Sequence, residues 1–275
     1  ILQFDVDAAE MNKNILITEG VVGDLKVVLQ KMNERLEQQD HKAWVEQIMS
    51  YKEKYPMTYH PDVLSGPFVV EEIYRQTNGE AIISTEVGQH QMWAAQYYKY
   101  TEPRTLLTSG GLGTMGYGFP GAVGAQIGNP DSTVIAISGD GGMQMNIQEF
   151  ATAVLEELPL ILCVFNNTYL GMVRQWQKLF YGKRYSMTDL RAGAATRRGE
   201  EHPPKYTPDF VKLAESYGAK GIRVTEKSEM KAAFEQAKAN RALKVPTLIE
   251  FMLDPEVQVY PMVRPGGTLE DLLMD

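Results

Sequence analysis

Two uninterrupted apolar runs, Thr133-Val-Ile-Ala-Ile-Ser138 and Leu160-Ile-Leu-Cys-Val-Phe165, decide the fold of this sequence. Continuous apolar runs of this length, rather than alternating ones, are typical of strands that are buried on both faces of a parallel sheet. The stretch between them carries apolar residues at helical spacing, as the crossover between two parallel strands requires. The pair therefore predicts an α/β fold with a parallel sheet.

The same alternation continues on both sides of these runs. Further strands are predicted at 81–85, 105–108, 221–224 and 247–253, and further helices at 89–98, 115–126, 147–158, 208–217 and 228–240. The first 57 residues differ, with strand candidates at 1–6 and 15–18 followed by helices at 24–39 and 41–54. The closely spaced Pro56, Pro61 and Pro67 interrupt both kinds of element. We therefore expect two domains, 1–57 and 58–275, and the strand-like start at Ile1 suggests a piece of a longer polypeptide.

Composition narrows the class of protein. The 275 residues include 27 Lys and Arg against 35 Asp and Glu, a net charge of −8. An acidic chain without a long basic run argues against nucleic acid as the main partner. No uncharged apolar stretch is long enough to span a membrane. The single cysteine, Cys163, excludes an internal disulfide and favours a reducing, cytoplasmic setting.

One glycine motif resembles a dinucleotide fingerprint. Gly111-Leu-Gly-Thr-Met-Gly116 follows a predicted strand and enters a predicted helix. A nicotinamide site also requires an acid at the end of the next strand. Asp131 precedes that strand and Asp140 lies in a glycine cluster after it. A close-packed turn or a different cofactor is therefore favoured over a nicotinamide dehydrogenase, which stays as an alternative.

A second motif carries a stronger chemical signal. Gly139-Asp140-Gly141 is followed by 24 residues and then by Asn166-Asn167, and both ends come directly after apolar strands. Ligands bind at that edge of parallel sheets. A carboxylate and an amide oxygen suit Mg²⁺, which takes further oxygens from phosphate. Glycines, with a helix expected to start near Met143, admit a diphosphate. The pattern predicts a magnesium-bridged diphosphate.

Each half of this motif also has a plain structural explanation. Asp140 could cap a helix and Asn166-Asn167 could form a turn. Either half alone favours that explanation, whereas both halves at this spacing favour the metal site.

The combined motifs resemble the thiamine-diphosphate enzymes, and specifically the catalytic subunit of acetohydroxyacid synthase (acetolactate synthase). The resemblance runs from about Ile1 to the end of the chain, and GDG…NN alone identifies only the cofactor class. The stretches that carry it are Val87-Gly-Gln-His-Gln-Met-Trp-Ala-Ala-Gln96, Ser109-Gly-Gly-Leu-Gly-Thr-Met-Gly-Tyr-Gly118, Gly171-Met-Val-Arg-Gln-Trp-Gln177 and Phe180-Tyr-Gly-Lys-Arg-Tyr-Ser186.

The resemblance implies a layout of three α/β domains. Residues 1–57 would be the end of the central, FAD-type domain, and 58–275 the diphosphate and metal domain. The activating glutamate and the arginine for the substrate carboxylate would precede Ile1, so the isolated chain is expected to be inactive. The implied reaction is decarboxylation of pyruvate and condensation with a second 2-keto acid, pyruvate or 2-ketobutyrate, in branched-chain amino-acid biosynthesis. A homodimer or tetramer with active sites between subunits, and a small regulatory subunit, are also implied.

The resemblance assigns roles to individual residues. Asp140, the amide of Asn167 and the main-chain carbonyl of Tyr169 would bind Mg²⁺. Met172, Val173 and Trp176 would border the substrate pocket, and Asp5 and Asp24 could reach FAD. The cofactor itself would be contacted by Val87, Gly88, Gln89, His90, Gly113, Met115, Gly139, Asp140, Gly141, Gly142, Asn167, Tyr169, Gly171 and Met172.

Several of these residues have ordinary structural alternatives. His90 could be a loop residue bonded to backbone, and Met115 and Met172 could fill gaps in the core. Trp176 could be a buried anchor. Two irregular stretches, 182–205 and 256–275, could be lids or mere surface loops.

Other functions remain open at this point. A different FAD-containing thiamine enzyme, of the pyruvate oxidase or glyoxylate carboligase type, would share most of these motifs. A binding module that holds thiamine diphosphate without turnover would share them as well.

Overall fold

The computed structural model describes residues 1–191 and 207–274. These residues divide into two compact units, Ile1–Thr58 and Tyr59–Asp275. The sequence predicted this boundary one residue earlier, between residues 57 and 58. The identity of the first unit as the end of a flavin-type domain stays a prediction.

The first unit contains two short parallel strands and two helices. Strand β1 (Leu2–Asp5) pairs with β2 (Glu19–Val22), and helices α1 (Leu25–Asn33) and α2 (Lys42–Lys54) follow. The strand predicted at 15–18 is wrong, because the chain pairs with β1 only from Glu19 onward. Asp24 caps α1, its side chain accepting a hydrogen bond from the Val27 amide at 3.2 Å.

The second unit is built on a six-stranded, entirely parallel sheet in the order β4-β3-β5-β6-β8-β7. This confirms the predicted α/β class. The strands are β3 (Ile82–Thr85), β4 (Leu106–Thr108), β5 (Val134–Gly139), β6 (Ile161–Asn166), β7 (Lys220–Val224) and β8 (Thr247–Met252). A short antiparallel pair, β9 (Met262–Val263) and β10 (Leu272–Leu273), lies near the end of the chain.

Helices cover both faces of this sheet. The two apolar runs become β5 and β6, whose side chains alternate between the faces, so that Ile135 and Cys163 enter one core and Ala136 and Leu162 the other. The helices are α3 (Gly66–Thr77), α4 (Gln89–Tyr97), α5 (Gly118–Gly128), α6 (Asp140–Met143), α7 (Glu149–Leu155), α8 (Gly171–Phe180), α9 (Phe210–Ser216) and α10 (Met230–Ala242).

The helix expected to start near Met143 is different in the structure. A single helical turn, α6, begins three residues earlier at Asp140, and the longer α7 starts only at Glu149. Glycines at 141 and 142 allow a tight turn directly at the end of β5, but they have poor helix propensity. The turn therefore ends quickly, and it places Asp140 itself in the first turn.

The two predicted lids also differ from expectation. In the tail, Val259 is fully buried and Met262 joins the core around β8, so the lid expectation narrows to residues 264–274, which are mostly exposed. Residues 192–205 of the other predicted lid lie outside the described residues. Within the described part of the chain, every helix is too short or too polar to cross a membrane.

Candidate functional site

A cavity of about 160 Å³ opens where β3, β5, β6 and β8 end. Parallel strands leave their loops at one edge, and this edge is the expected position of a ligand site in such sheets. Fourteen predicted site residues line it, namely Val87, Gly88, Gln89, His90, Met115, Gly139, Asp140, Gly141, Gly142, Asn167, Tyr169, Gly171, Met172 and Val173.

Four predicted residues do not line this cavity. Gly113 lies behind Val87, since a Cβ at Gly113 would sit 3.2 Å from the Val87 Cγ2. Trp176 is on α8 with 45% of its surface exposed, one turn beyond the lining residue Met172. Asp5 and Asp24 belong to the first unit, at the ends of β1 and at the start of α1. The roles expected for these four residues stay predictions.

Among the described residues, Asp140 is the only carboxylate that lines the cavity, and it is buried, with 2% of its surface exposed. Its Oδ1 accepts a hydrogen bond from the Gly141 amide at 2.9 Å, and its Oδ2 accepts one from the Thr168 amide at 2.6 Å. Burial raises the pKa of Asp140 to about 7 despite these bonds. A buried carboxylate without a cationic partner is unfavourable, and a bound cation would relieve that cost.

The turn after β6 brings a second side-chain oxygen, that of Asn167, to the same cavity. Asn167 Oδ1 accepts a hydrogen bond from the Tyr169 amide at 3.0 Å, and its Nδ2 donates to Gln89 Oε1 at 3.1 Å. The centroid of the Tyr169 ring is 4.6 Å from the guanidinium carbon of Arg174 and 4.9 Å from that of Arg191. These contacts hold the turn in place and leave its main chain beside Asp140.

The donor set fits a hard cation bridged to phosphate. Within the described residues, no group of three or more His, Cys, Asp or Glu side chains could hold a metal ion. One carboxylate, one amide oxygen and one main-chain carbonyl are too few ligands for Mg²⁺, which prefers six oxygens. The remaining ligands would have to come from a phosphorylated cofactor and water.

His90 provides independent support for a ligand in this cavity. Its ring is buried, and its Nε2 has no hydrogen-bond partner in the part of the chain that the structure describes. Burial lowers the pKa of His90 to about 3. The nearest acid, Glu86 Oε1, is 3.7 Å from Nε2, which is too far for a hydrogen bond. Buried polar atoms are nearly always paired, so this atom indicates a missing partner in the cavity.

Glycines keep this part of the cavity open. Gly88 has φ +142°, and a Cβ there would lie 2.9 Å from His90 Cε1. A Cβ at Gly171 would lie 2.2 Å from Gln89 Oε1. Larger residues at either position would push polar side chains out of the cavity wall, which explains the glycines of the motif.

Glu86 is the main functional candidate that the sequence analysis missed. It follows β3 directly, is fully buried, and accepts hydrogen bonds from the Ser138 hydroxyl and the Gly116 amide. Burial raises the pKa of its carboxyl group. The strand-end argument that identified Asp140 applies equally to Glu86, so the signal was present in the sequence. Glu86 thus connects the segment after β3 with the loop before α5 and with the end of β5.

Four apolar residues of the wall were also missed. They are Trp93, Phe165, Leu170 and Leu253. Phe165 and Leu253 come at the ends of β6 and β8, where apolar strand residues are expected to belong to the core. They do pack in the core, but their position at the sheet edge lets them face the cavity as well.

Comparison with known proteins gives this geometry a family. Residues 86–251 match the family model described as thiamine pyrophosphate enzyme, C-terminal TPP binding domain. The chain belongs to the thiamine pyrophosphate enzymes. The matched range begins at Glu86 and contains Asp140, Asn167 and Tyr169. Membership of this family confirms thiamine diphosphate as the cofactor class. The nicotinamide alternative has no support in the fold either, because β5 pairs with β3 and not with β4, the strand before the Gly111–Gly116 motif.

Curated relatives extend along the whole chain. It is 42% identical over 280 residues to the acetolactate synthase large subunit of Corynebacterium glutamicum, a match that covers 99% of this chain and 43% of the relative. It is 38% identical to acetolactate synthase 2, chloroplastic, of Nicotiana tabacum, and this match covers 100% of this chain and 41% of the relative. It is 36% identical to the acetolactate synthase isozyme 3 large subunit of Escherichia coli K12, a match that covers 99% of this chain and 46% of the relative. The predicted resemblance is thus confirmed, and the chain spans less than half the length of these relatives.

Proposed function

We propose that this chain is the diphosphate- and metal-binding part of an acetolactate synthase large subunit. The observation that carries the proposal is the single cavity that brings Asp140, Asn167 and Tyr169 together with the backbone of Gly139–Gly142 and with Gln89 and His90. The relatives named acetolactate synthase support the choice among thiamine pyrophosphate enzymes.

The residues of the cavity divide into two groups. Asp140, Asn167 and the Tyr169 carbonyl would hold Mg²⁺, and Gln89 and His90 would bind the diphosphate oxygens. The unpartnered Nε2 of His90 is available for this purpose, and the ring can donate a hydrogen bond while it remains neutral.

The apolar wall would shape the reacting end of the cavity. When bound, thiamine diphosphate supplies a group that accepts the electrons released by decarboxylation of a 2-keto acid. Met115 would support the cofactor, and Met172 and Val173 would border the keto acids, pyruvate and 2-ketobutyrate. The buried Trp93, Phe165 and Leu253 would exclude water from this end of the cavity.

The proposal includes partners that this chain does not contain. Relatives described as large subunits support a small regulatory subunit, and a homodimer or tetramer would complete the active sites. FAD would bind mainly outside this chain, with Asp5 and Asp24 as the candidates within it. A cytoplasmic location remains the prediction made from the single cysteine.

Calorimetric titration with thiamine diphosphate tests the metal site. We expect binding to the wild-type chain to require Mg²⁺ and to be lost in excess chelator. Asp140→Ala removes the charged ligand and Asn167→Ala a neutral one, so the affinity should fall about 100-fold and about 10-fold, in that order. Asp131→Ala, which removes an exposed carboxylate before β5, is the matched control and should bind as the wild type does. Unchanged binding by Asp140→Ala would contradict the assignment.

Product analysis of the complete enzyme tests the reaction. Pyruvate with Mg²⁺, FAD and thiamine diphosphate should give 2-acetolactate, and 2-ketobutyrate as second substrate should give 2-aceto-2-hydroxybutyrate. Formation of acetyl phosphate with peroxide, or of tartronate semialdehyde from glyoxylate, would assign the chain to the pyruvate oxidase or glyoxylate carboligase type. Cofactor binding without any product would indicate a binding module.

A further inference from the structure

A chain of hydrogen bonds runs behind the metal site, through residues that do not line the cavity. Its centre is Glu250 on β8, which is buried, with 1% of its surface exposed. Glu250 Oε2 accepts a hydrogen bond from Arg223 Nε on β7 at 2.7 Å, and Oε1 accepts one from Asn166 Nδ2 on β6 at 2.7 Å. The Arg223 guanidinium also donates to Asp209 Oδ1 at 2.7 Å. The network therefore crosses the three strands from the partly exposed Asp209 to the end of β6.

Asn166 connects this network with the turn after β6, which carries Asn167 and Tyr169. Its Oδ1 accepts a hydrogen bond from the Thr168 amide at 3.0 Å, and the same amide donates to Asp140 Oδ2 at 2.6 Å. Thr168 has φ +64°, a left-handed conformation that a β-branched residue rarely adopts. The two acceptors on its amide help to hold the residue in that conformation. Asn167 lies between Asn166 and Thr168 in the sequence, so the conformation of this turn determines its position.

Glu250 determines which way the Asn166 amide points. An asparagine side chain presents a donor at one end and an acceptor at the other. With a carboxylate on the β8 side, only the NH₂ group can face Glu250, and the carbonyl oxygen must face the Thr168 amide. Without that acceptor the buried NH₂ group would have no partner, and a rotated side chain would set two donors against each other at Thr168.

We propose that Glu250 is a positioning residue for the magnesium site, acting through the Asn166 side chain on the turn that holds Asn167 and contacts Asp140. Arg223 neutralises the buried carboxylate and holds it against Asn166. The proposal rests on the magnesium-bridged cofactor site proposed above. Glu250 does not line the cavity, so we expect it to act on the affinity of the metal-dependent complex through Asn166.

The test is the Mg²⁺ concentration that half-saturates thiamine-diphosphate binding to the full chain, measured by calorimetry. Glu250→Leu removes the acceptor for Asn166 and should raise that concentration about 10- to 100-fold, the usual effect of losing a group that orients a metal ligand. Glu250→Gln retains an oxygen that can accept from Asn166, so it should stay within about 3-fold of the wild type. This difference between two uncharged replacements separates orientation from charge.

Exchanging the two partners provides a second variant pair. Asn166→Asp sets two carboxylates against each other and should raise the required Mg²⁺ about as much as Glu250→Leu does. Asn166→Asp with Glu250→Gln restores a donor–acceptor pair with reversed roles, and the new carboxylate can still accept from Thr168. We expect the double variant to need at least about 5-fold less Mg²⁺ for half-saturation than Asn166→Asp alone.

Thr247→Val is the matched control for destabilisation alone. It removes a buried hydrogen bond on the same strand, the 3.1 Å bond from Asn240 Nδ2, at the end of β8 away from the cavity. It should lower the melting temperature without changing the Mg²⁺ requirement. An unchanged requirement in Glu250→Leu, or no recovery in the exchanged pair, would overturn the proposal. Failure of the wild-type chain to bind thiamine diphosphate with Mg²⁺ would instead contradict the proposed function.

Discussion

One of the residues with a left-handed backbone conformation lies in the turn of the candidate site. Thr168, in the left-handed region, lies between Asn167 and Tyr169. A non-glycine residue in that region costs about 1–3 kcal/mol, and it persists only where neighbouring groups hold it. At Thr168 those groups are Asp140 Oδ2 and Asn166 Oδ1. The strain and the proposed metal ligands are therefore connected by the same amide hydrogen.

His90 should make the stability of the protein depend on pH. Burial lowers the pKa of His90 to about 3 in the folded chain, whereas an unfolded histidine has a pKa near 6.5. Below pH 6.5 the unfolded chain therefore binds a proton that the folded chain does not. The contribution is fully present above pH 6.5 and is lost as the pH falls towards 3. At pH 5 we expect a loss of about 2 kcal/mol in the free energy of unfolding.

Denaturant unfolding of the cofactor-free chain between pH 5 and pH 8 measures this effect. Because other groups titrate in the same range, the relevant quantity is the difference between the wild type and His90→Gln, which cannot titrate. Glu86 is the acid nearest to His90, and its own pKa is raised by burial, so Glu86→Gln tests whether the two side chains titrate together. Parallel pH profiles for the wild type and His90→Gln would show that His90 takes up its proton at the same pH in the folded and the unfolded chain.

At the scale of elements, the structure agrees best with the sequence where strands are buried on both faces. The run at 133–138 becomes β5 at Val134–Gly139, because a continuously apolar strand can be accommodated only where both faces of the sheet are buried. In the first unit the strand at 15–18 was wrong. None of the residues 1–58 is buried, so the hydrophobic pattern there contains little information, and main-chain pairing of Leu2 with Glu19 sets the register instead.

The candidate site shows the same limit. Asp140 and Asn167 could be paired in advance because one crossover connects their strands. Glu250 could not be linked with Asn166, because the local sequence pattern does not indicate the strand order that makes β8 a neighbour of β6. Glu86 needed no such information and could have been found by extending the strand-end rule to β3.

The contact between α6 and the end of β3 leads to a further prediction. A Cβ at Gly142 would lie 1.9 Å from Glu86 Oε1, so Gly142→Ala should force the buried carboxylate out of its place. Overpacking of this kind costs about 1–3 kcal/mol of the free energy of unfolding, measurable by urea denaturation. Glu86→Ala should make the second change, Gly142→Ala, less costly by at least about 1 kcal/mol. Additive effects of the two substitutions would show that the residues do not contact each other.

Helix α8 should control the docking of the segment after β8. The buried Gln175 donates to the Val259 carbonyl at 2.9 Å and accepts from the Val259 amide at 2.9 Å. Gln175→Leu has similar size but leaves both main-chain groups without partners. We expect amide exchange around Val259 to accelerate about 10- to 100-fold, detected by mass spectrometry of peptides from this segment.

Gln177→Leu, two residues further along α8, is the matched control. Its side chain bonds the main chain of Ser186 instead, so it should accelerate exchange near Ser186 and not near Val259. Equal acceleration at Val259 by both variants would indicate that α8 is destabilised as a whole, and the specific docking role of Gln175 would be rejected.

At the scale of the whole molecule, the buried core belongs to one unit. Every buried apolar side chain of the described residues lies between Leu64 and Met262, within the unit Tyr59–Asp275. Removal of residues 1–58 should therefore leave the melting temperature within about 4 °C, because a change below 1 kcal/mol shifts a domain of this size by no more than that. Thermal circular dichroism provides the measurement. Loss of the cooperative transition would mean that the first unit stabilises the second.

Cys163 lies in the middle of β6, between Ile137 of β5 and Ile249 of β8, and burial raises the pKa of its thiol. It is the only thiol in the chain. An alkylating reagent can reach it only when the central strands separate, so each labelled molecule records one opening of the sheet. The rate of labelling would therefore report the opening of this sheet in unpurified extracts, and ligands that bind the folded sheet would reveal themselves by slowing it.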